Sequence, residues 1–172
     1  MIFLTTRKRF HRLLAKAELI DERLTLLGKR KLSLEDVKMI TQEVLPQALY
    51  IGHGAAKVAF LILTPGSRGT RQVVLKVIKN ASRMEAYLRP YLITGSSPKM
   101  RNYYFLKHYW ATKYCILQKF AGKVDKNQPE QKIQMRKIRK RFHGALTDLR
   151  DCNLGLDYGK VKIIDALCRR GN

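Results

Sequence analysis

Cysteine, long apolar runs and acidic residues are all scarce in this chain of 172 residues. The three cysteines, Cys115, Cys152 and Cys168, show no C-x-x-C spacing, which argues against a zinc site or a disulfide framework and predicts reduced thiols in a cytosol. No apolar run approaches membrane-spanning length, and the opening MIFLTTRKRF lacks the apolar core of a signal peptide. We therefore expect a cytoplasmic protein with no membrane span.

Acidic residues are outnumbered by basic ones to an unusual degree. Thirty-five Lys and Arg against 13 Asp and Glu give a formal net charge of +22. A solvated surface in a heat-adapted organism is the alternative, but such surfaces usually balance lysine with glutamate. The imbalance predicts a polyanionic or acidic partner: a nucleic acid, a ribosome, an acidic protein or an anionic lipid surface. It leaves the oligomeric state open.

The first 46 residues have the pattern of two basic helices. From Thr6 to about Leu27, apolar residues recur at helical period and the opposite face is rich in Lys and Arg. A second helix is predicted where Ser33 and Asp36 form a capping box, and it should end before Pro46. This basic helical extension, residues 1–46, would brace the rest of the chain or present a basic face to a partner.

Three polar residues near the C-terminus have a spacing suited to phosphoryl transfer. In LTDLRDCNLGLDYGKVKIIDA, residues 146–166, Asp148 is followed by Asn153 and then by Asp165. The segment resembles the catalytic and metal-binding loops of the protein-kinase superfamily, H-R-D-x-x-x-x-N followed about a dozen residues later by D-F-G. A Leu-Thr pair stands here in place of His-Arg, and Ala-Leu in place of Phe-Gly.

Upstream, further kinase-like parts follow in the expected order. Gly52 and Gly54 lie in YIGHGAAKVAF between two predicted strands and resemble the first two glycines of a kinase Gly-rich loop. A polar turn, TPGSRGT, leads to RQVVLKVIK, in which Lys76 resembles the strand lysine that holds the α and β phosphates. A tight turn at the glycines is the alternative. For Lys76 the alternative is a solvent-facing position on an alternating strand whose Val74 and Val77 are buried.

Glu85 is the acidic residue that the resemblance would pair with the strand lysine. It lies in ASRMEAYLRPYLI, where Pro90 limits the length of the predicted helix. Ser82 and Glu85 also fit a capping box, in which the glutamate reaches back to the N-cap amide. The ion pair and the cap remain alternatives.

A hairpin predicted in RNYYFLKHYWATKYCILQKFAG would lead to a hinge. Its second strand is predicted over residues 114–120. The resemblance implies that the backbone of Lys119, Phe120 and Ala121 binds the adenine edge of a nucleotide, and that Gly122 marks the hinge exit. An ordinary strand followed by a turn would have the same sequence.

An amphipathic helix is predicted before the catalytic loop. Pro129 is near its start, and apolar residues at steps of three and four continue to Leu146, with an end around Gly144. His143 is interpreted as a packing or helix-end residue. A rival alignment places Ala145 at the catalytic aspartate position, as in a degenerate enzyme. The alignment on Asp148 is preferred, because only there does Asn153 follow at the offset of the kinase motif, with Asp165 after it.

The resemblance covers roughly residues 48–168 and implies an α+β, minimal kinase-like fold. Its antiparallel five-stranded N-lobe with the hinge would span residues 47–122, and a truncated helical C-lobe residues 123–172. Because only seven residues follow Asp165, we expect no activation segment and no large helical lobe. Short phage-encoded kinases and bacterial effector kinases are similar in lacking these parts. Such a protein would act in a host-cell cytoplasm.

The resemblance implies ATP- and Mg-dependent phosphoryl transfer to a protein Ser/Thr hydroxyl. Lys76 would hold phosphates, Asp148 would orient the hydroxyl and accept its proton, and Asn153 and Asp165 would hold magnesium. Two alternatives belong to other classes. One is a non-catalytic kinase-like module that binds a polyanion or an acidic protein, and the other is a kinase acting on a small-molecule or RNA-associated substrate.

Overall fold

Four α-helices and an antiparallel sheet, made of five strands and a two-residue strand added at one edge, give the described part of the chain an α+β architecture. A computed structural model describes residues 2–3, 10–66, 69–93, 103–147, 149–165 and 167–168. The chain divides into two compact units. The first comprises Met1–Met84 and His108–Phe120, and the second comprises Glu85–Lys107 and Ala121–Asn172.

Two helices precede the five longer strands of the sheet in the first unit, as the sequence predicts. Helix α1 spans His11–Leu26 and α2 spans Leu34–Val44. The α1 helix begins later than the predicted Thr6, with Phe10 at its N-cap, and residues 4–9 lie outside the described part. The capping box is confirmed, because the Asp36 amide donates to Ser33 Oγ and the Ser33 amide donates to Asp36 Oδ2.

The sheet of the first unit contains the strands β2 (Leu49–His53), β3 (Lys57–Gly66), β4 (Gly69–Ile78), β5 (His108–Ala111) and β6 (Cys115–Lys119), with the two-residue β1 (Ile2–Phe3) added at one edge. Its order is β1-β5-β6-β4-β3-β2, with every neighbouring pair antiparallel. The polar turn predicted over residues 64–70 is shorter. The β3–β4 ladder continues through its polar residues as far as the Gly66–Gly69 pair, since backbone pairing satisfies their amides whatever their side chains.

The core of the first unit lies between this sheet and the two helices. Alternate residues of β4, Val73, Leu75 and Val77, belong to one buried cluster with apolar residues of β3 and of both helices. On α1 the buried residues are Leu14, Ala17, Ile20 and Leu24, the stripe that the helical period predicts. The helical hairpin therefore braces the sheet, which is one of the two roles expected for it.

The second unit combines two helices with short antiparallel strands. Its elements are α3 (Met84–Ile93, which begins at the unit boundary), α4 (Pro129–Phe142), β7 (Gly122–Lys123), β8 (Leu146–Thr147), β9 (Leu154–Asp157), β10 (Lys160–Ile163) and β11 (Leu167–Cys168). The strands form a three-stranded sheet, β10-β9-β7, and a β11-β8 pair. Among the described residues, no helix has the length and apolar character that crossing a membrane requires.

One predicted helix end agrees with the structure and one predicted helix start does not. Helix α4 ends at Phe142, with exposed His143 as its C-cap, because Gly144 has a φ of +88° that breaks the helix. The helix-end interpretation of His143 is thus confirmed. The proposed Ser82 capping box is wrong: Ser82 lies within a 3₁₀ turn, where its amide donates to Asn80 Oδ1, and α3 continues three residues past Pro90.

Candidate functional site

A β-hairpin joins two of the residues that the sequence singles out. Asn153 ends a 3₁₀ turn immediately before β9, and Asp165 lies two residues after β10. Strands β9 and β10 pair in register from Leu154 opposite Ile163 to Asp157 opposite Lys160. The Asn153 carbonyl then accepts hydrogen bonds from the Ile164 amide at 2.9 Å and the Asp165 amide at 3.3 Å. The hairpin thereby places the half-buried Asn153 and Asp165 side by side.

A second strand pair connects the chain just before Asp148 with the chain just after Asp165. Thr147 of β8 pairs with Leu167 of β11, antiparallel. Asp148, the predicted catalytic aspartate, lies outside the described residues, while Thr147 and Leu149 on either side are described. Its role, and that of Ala145 in the rival alignment, stay predictions. The two pairings bring the segments that flank the three predicted loop residues into one part of the second unit.

Asp151, in the loop between Asp148 and Asn153, pairs with two basic residues outside the loop. Its carboxylate forms ion pairs with Arg139 of α4 and with Lys126, whose Nζ lies 2.6 Å from Asp151 Oδ2. The Arg139 Nε also donates to the Leu149 carbonyl at 3.1 Å. Hydrogen bonds from Lys126 and Arg139 lower the pKa of the Asp151 carboxyl below its usual value.

Sequence reasoning missed this ion-pair network. The available signal was the position of Asp151, one of few acids in the chain, inside the loop and following a helix rich in Lys and Arg. We name the set of Lys126, Arg139 and Asp151 the loop clamp.

Lys76 lies on β4, on the sheet face opposite the two N-terminal helices. Its cross-strand neighbours are Ala59 and Ile116, and its side chain is half-buried. The alternative predicts buried Val74 and Val77, and both are buried, but Lys76 itself is half-buried and does not fully face the solvent as the alternative expects. Lys76 therefore lies in a largely apolar row rather than on a fully solvated one.

The two glycines of the β2–β3 hairpin have different structural roles. Gly52 lies at a bulge in β2 with a φ of +153°, a conformation that L side chains rarely adopt. Gly54 follows the strand, and its amide donates to the Lys57 carbonyl at 2.8 Å, which closes the turn. A Cβ added at either glycine would meet no atom within 4 Å, so both have open space beside them. The predicted hairpin is confirmed, and phosphate binding by it stays a prediction.

The remaining predicted nucleotide-binding residues lie near the boundaries of the two units. Glu85 is exposed in the first turn of α3, and its pairing with the strand lysine stays a prediction. Lys119 ends β6, and the half-buried Phe120 and Ala121 follow it, where one unit gives way to the other. The adenine-binding role of these three residues is likewise untested by the geometry.

Gly155 on β9 allows the chain at Ala121 to approach closely. A Cβ at this position would lie 2.7 Å from Ala121 Cβ and 2.8 Å from Ile164 Cγ2, closer than real Cβ contacts come. On the adjacent strand, a Cβ on Gly122 would make only an ordinary 3.7 Å contact with the Leu156 carbonyl oxygen. Because residue 155 is a glycine, both Ala121 and Ile164 can pack directly against β9.

The side-chain oxygens of Asn153 and Asp165 are of the chemical type that binds magnesium. Among the described residues, no three His, Cys, Asp or Glu side chains cluster to form a metal site made by protein alone. Magnesium, however, is commonly bound through one or two side-chain oxygens together with substrate phosphates and water. Asn153 and Asp165, whose backbones are in contact, carry side-chain oxygens of that kind.

Comparison with known proteins gives no assignment. No family model matches the chain, and no curated protein matches it. The functional proposal therefore depends on the arrangement of the residues themselves.

Proposed function

We propose that this chain is a minimal protein-kinase-like domain that transfers the γ-phosphoryl group of ATP to a Ser/Thr hydroxyl of a protein. The observation that carries the proposal is the closure of the β9–β10 hairpin, which brings Asn153 and Asp165 into backbone contact. Phosphoryl transfer from a nucleotide uses an asparagine and an aspartate as neighbouring metal ligands, with a further aspartate at the acceptor hydroxyl. The β8–β11 pair supports the same arrangement, because Asp148 follows directly on β8.

Each residue has a distinct role in the proposed reaction. Bound magnesium would neutralise charge on the phosphates, with Asn153 and Asp165 as its protein ligands. Asp148 would orient the acceptor hydroxyl and accept its proton as the oxygen attacks the γ-phosphorus and the bond to ADP breaks. Lys76 would bind the α and β phosphates. The loop clamp would hold the backbone between Asp148 and Asn153, so that the side chains of these two residues are in position before the nucleotide binds.

A second candidate function is a kinase-like module without catalysis that binds a polyanion. The net charge of +22 favours it, since such a charge attracts nucleic acid or acidic protein whatever the state of the loops. It also accounts for the Ala-Leu pair after Asp165, which replaces the Phe-Gly of an active kinase. Nucleotide binding without turnover would favour this module.

Calorimetric titration of the full chain with ATP, with and without magnesium, tests the proposal. We expect magnesium to tighten ATP binding to the parent. Asp165→Asn should remove most of that enhancement, because a neutral amide cannot replace a carboxylate between metal and phosphates. Lys76→Ala should weaken binding by about tenfold, the effect of one lost charge-assisted hydrogen bond of roughly 1.4 kcal/mol.

Two exposed residues of α1 provide matched controls, Glu18→Gln for the acid and Lys16→Ala for the lysine. Both controls should bind ATP like the parent. Circular dichroism of every variant establishes that its fold is intact. ATP binding that is unchanged in folded Lys76→Ala and Asp165→Asn would contradict the proposal.

A further inference from the structure

An aromatic side chain is exposed at the tip of the β9–β10 hairpin. Tyr158 and Gly159 form the two-residue turn, both with positive φ, and the Tyr158 side chain is 91% exposed. Among the described non-glycine residues, Tyr158 alone has a positive φ. Positive φ is common for Asn and Asp in such turns but unusual for a bulky aromatic residue, whose presence there costs conformational energy. The turn therefore carries an exposed tyrosine at a backbone position that Asn or Gly adopts with less strain.

A second exposed aromatic ring lies beside the same hairpin. Tyr103 is 59% exposed, and the ammonium groups of Lys160 and Lys162 lie 5.9 and 5.6 Å from its ring centroid. The Lys162 ammonium is largely buried and donates to the Tyr103 carbonyl at 2.5 Å. Lys160, by contrast, is exposed. Tyr103 and Lys160 therefore place an exposed ring and an exposed positive charge next to each other beside the hairpin.

Helix α4 extends the positive charge from the hairpin. The Gln134 side chain joins the two elements, because its Oε1 accepts from the Val161 amide at 2.7 Å and its Nε2 donates to the Gly159 carbonyl at 3.4 Å. One and two turns beyond Gln134, on the same side of the helix, are the exposed Lys137 and Arg141. The six basic residues of α4 are all exposed: Lys132, Arg136, Lys137, Arg139, Lys140 and Arg141.

We propose that this surface binds single-stranded nucleic acid. Its parts are Tyr103, Lys137, Arg141, Tyr158 and Lys160, which we call the aromatic-basic patch. Basic side chains attract the phosphates, and exposed rings stack on bases, so that the pair of features fits a strand with unpaired bases. An acidic protein would satisfy the lysines and arginines but offers no base for the ring held out at position 158. The proposal goes beyond phosphoryl transfer and does not depend on it.

Fluorescence anisotropy with a labelled oligo-uridine of about 20 nucleotides tests the proposal on the full chain. Tyr158→Asn removes the ring while keeping a residue that tolerates positive φ, and it should weaken binding by about tenfold. The double substitution Lys137→Gln with Arg141→Gln should also weaken binding. It should reduce the slope of log affinity against log salt by about 1.4, as expected for two lost phosphate contacts on a single strand.

The matched control removes the same charge from the first unit. Arg12→Gln with Lys16→Gln, both exposed on α1, should leave binding within about twofold of the parent, because neither residue belongs to the aromatic-basic patch. Asp165→Asn should bind the oligonucleotide like the parent, which separates this proposal from the phosphoryl-transfer site.

Three results would overturn the proposal. The first is that the parent does not bind the oligonucleotide. The second is that the α1 control loses as much affinity as the α4 variant, which would mean that general charge, not the patch, binds the strand. The third is that polyglutamate of equal charge binds as tightly as the oligonucleotide while Tyr158→Asn has no effect, which would identify an acidic protein as the partner.

Discussion

The Asn153 carbonyl oxygen accepts a hydrogen bond from the Asp165 amide, at 3.3 Å, although the whole β9–β10 hairpin separates the two residues in sequence. The bond lies at the open end of the hairpin, where the ladder stops after the Leu154–Ile163 pair. Two oxygen-bearing side chains thus leave the backbone from adjacent points. This is the arrangement on which a shared magnesium ion, and with it the proposed chemistry, depends.

Loss of the loop clamp should lower the turnover number more than it weakens nucleotide binding. If the chain is the proposed kinase, Asp151→Asn should lower kcat by about tenfold while the KM for ATP changes little, because the clamp would orient the loop and contains none of the proposed nucleotide-binding residues. Arg139→Gln should act in the same direction, since it removes both the ion pair and the bond to the Leu149 carbonyl. Steady-state kinetics over a range of ATP concentrations measures kcat and the KM for ATP separately.

Hydrogen exchange gives the clamp a readout independent of catalysis. The Asn153 amide, which bonds to the Arg150 carbonyl, should exchange faster in Asp151→Asn than in the parent. Lys132→Gln, another exposed basic residue of α4, is the matched control and should change neither quantity. Equal kinetics and equal exchange in Asp151→Asn and the parent would show that the clamp positions nothing.

A methyl group at position 155 should destabilise the second unit. Gly155→Ala places a Cβ 2.7 Å from that of Ala121, so the strand or the segment at Ala121 must shift. We expect a loss of about 1–3 kcal/mol in the free energy of unfolding, the usual cost of overpacking. Gly122→Ala is the control, because its added Cβ makes only an ordinary contact and should cost less. Urea denaturation compares the two, and equal losses would contradict the close approach.

Acid should selectively weaken the start of α2. Hydrogen bonds from Lys29 and Ser33 lower the pKa of Asp36 to about 2, from an ordinary value of 3.8. Because the folded-state pKa lies below the unfolded one, the carboxylate stabilises the fold above pH 3.8, and that stabilisation is lost as the pH falls towards 2. Asp36→Ala should cost about 1 kcal/mol at pH 7, the usual value of an N-terminal cap, and little near pH 2.

The control for this acid prediction is Glu35→Gln, the neighbouring acid in the first turn of the same helix. That change leaves the capping box intact and should keep most of the pH dependence between 4 and 2. Thermal unfolding at a series of pH values measures both variants. A stability difference between parent and Asp36→Ala that is constant from pH 7 to pH 2 would show that the carboxylate charge contributes nothing.

Local sequence signals account for the parts of the fold that could be predicted. The capping box of Ser33 and Asp36 depends on residues three apart, and the buried stripe of α4 depends on helical spacing, so a short window contains all the information. The hairpin at Gly52 and Gly54 is of the same kind. In the candidate site, Asn153 and Asp165 could be paired because their spacing matches a recognised motif.

Other features depend on partners far away in sequence. The loop clamp joins Lys126, Arg139 and Asp151 across a whole helix, and no spacing rule connects a surface acid with a particular pair among so many basic residues. The length of the β3–β4 ladder is set by backbone pairing, which polar side chains conceal. The Ser82 prediction failed because a competing acceptor, Asn80, lies two residues earlier and binds the same amide.

Transfer of phosphate from radiolabelled ATP, in the parent and in Asp148→Asn, tests the central claim most directly. With magnesium present, the parent should label itself or a protein of a cell lysate. Asp148→Asn should bind ATP like the parent and lose transfer by about a hundredfold or more, because it lacks the group that accepts the proton of the hydroxyl. If the parent labels nothing, or if Asp148→Asn transfers phosphate as fast as the parent, the proposed catalysis is contradicted.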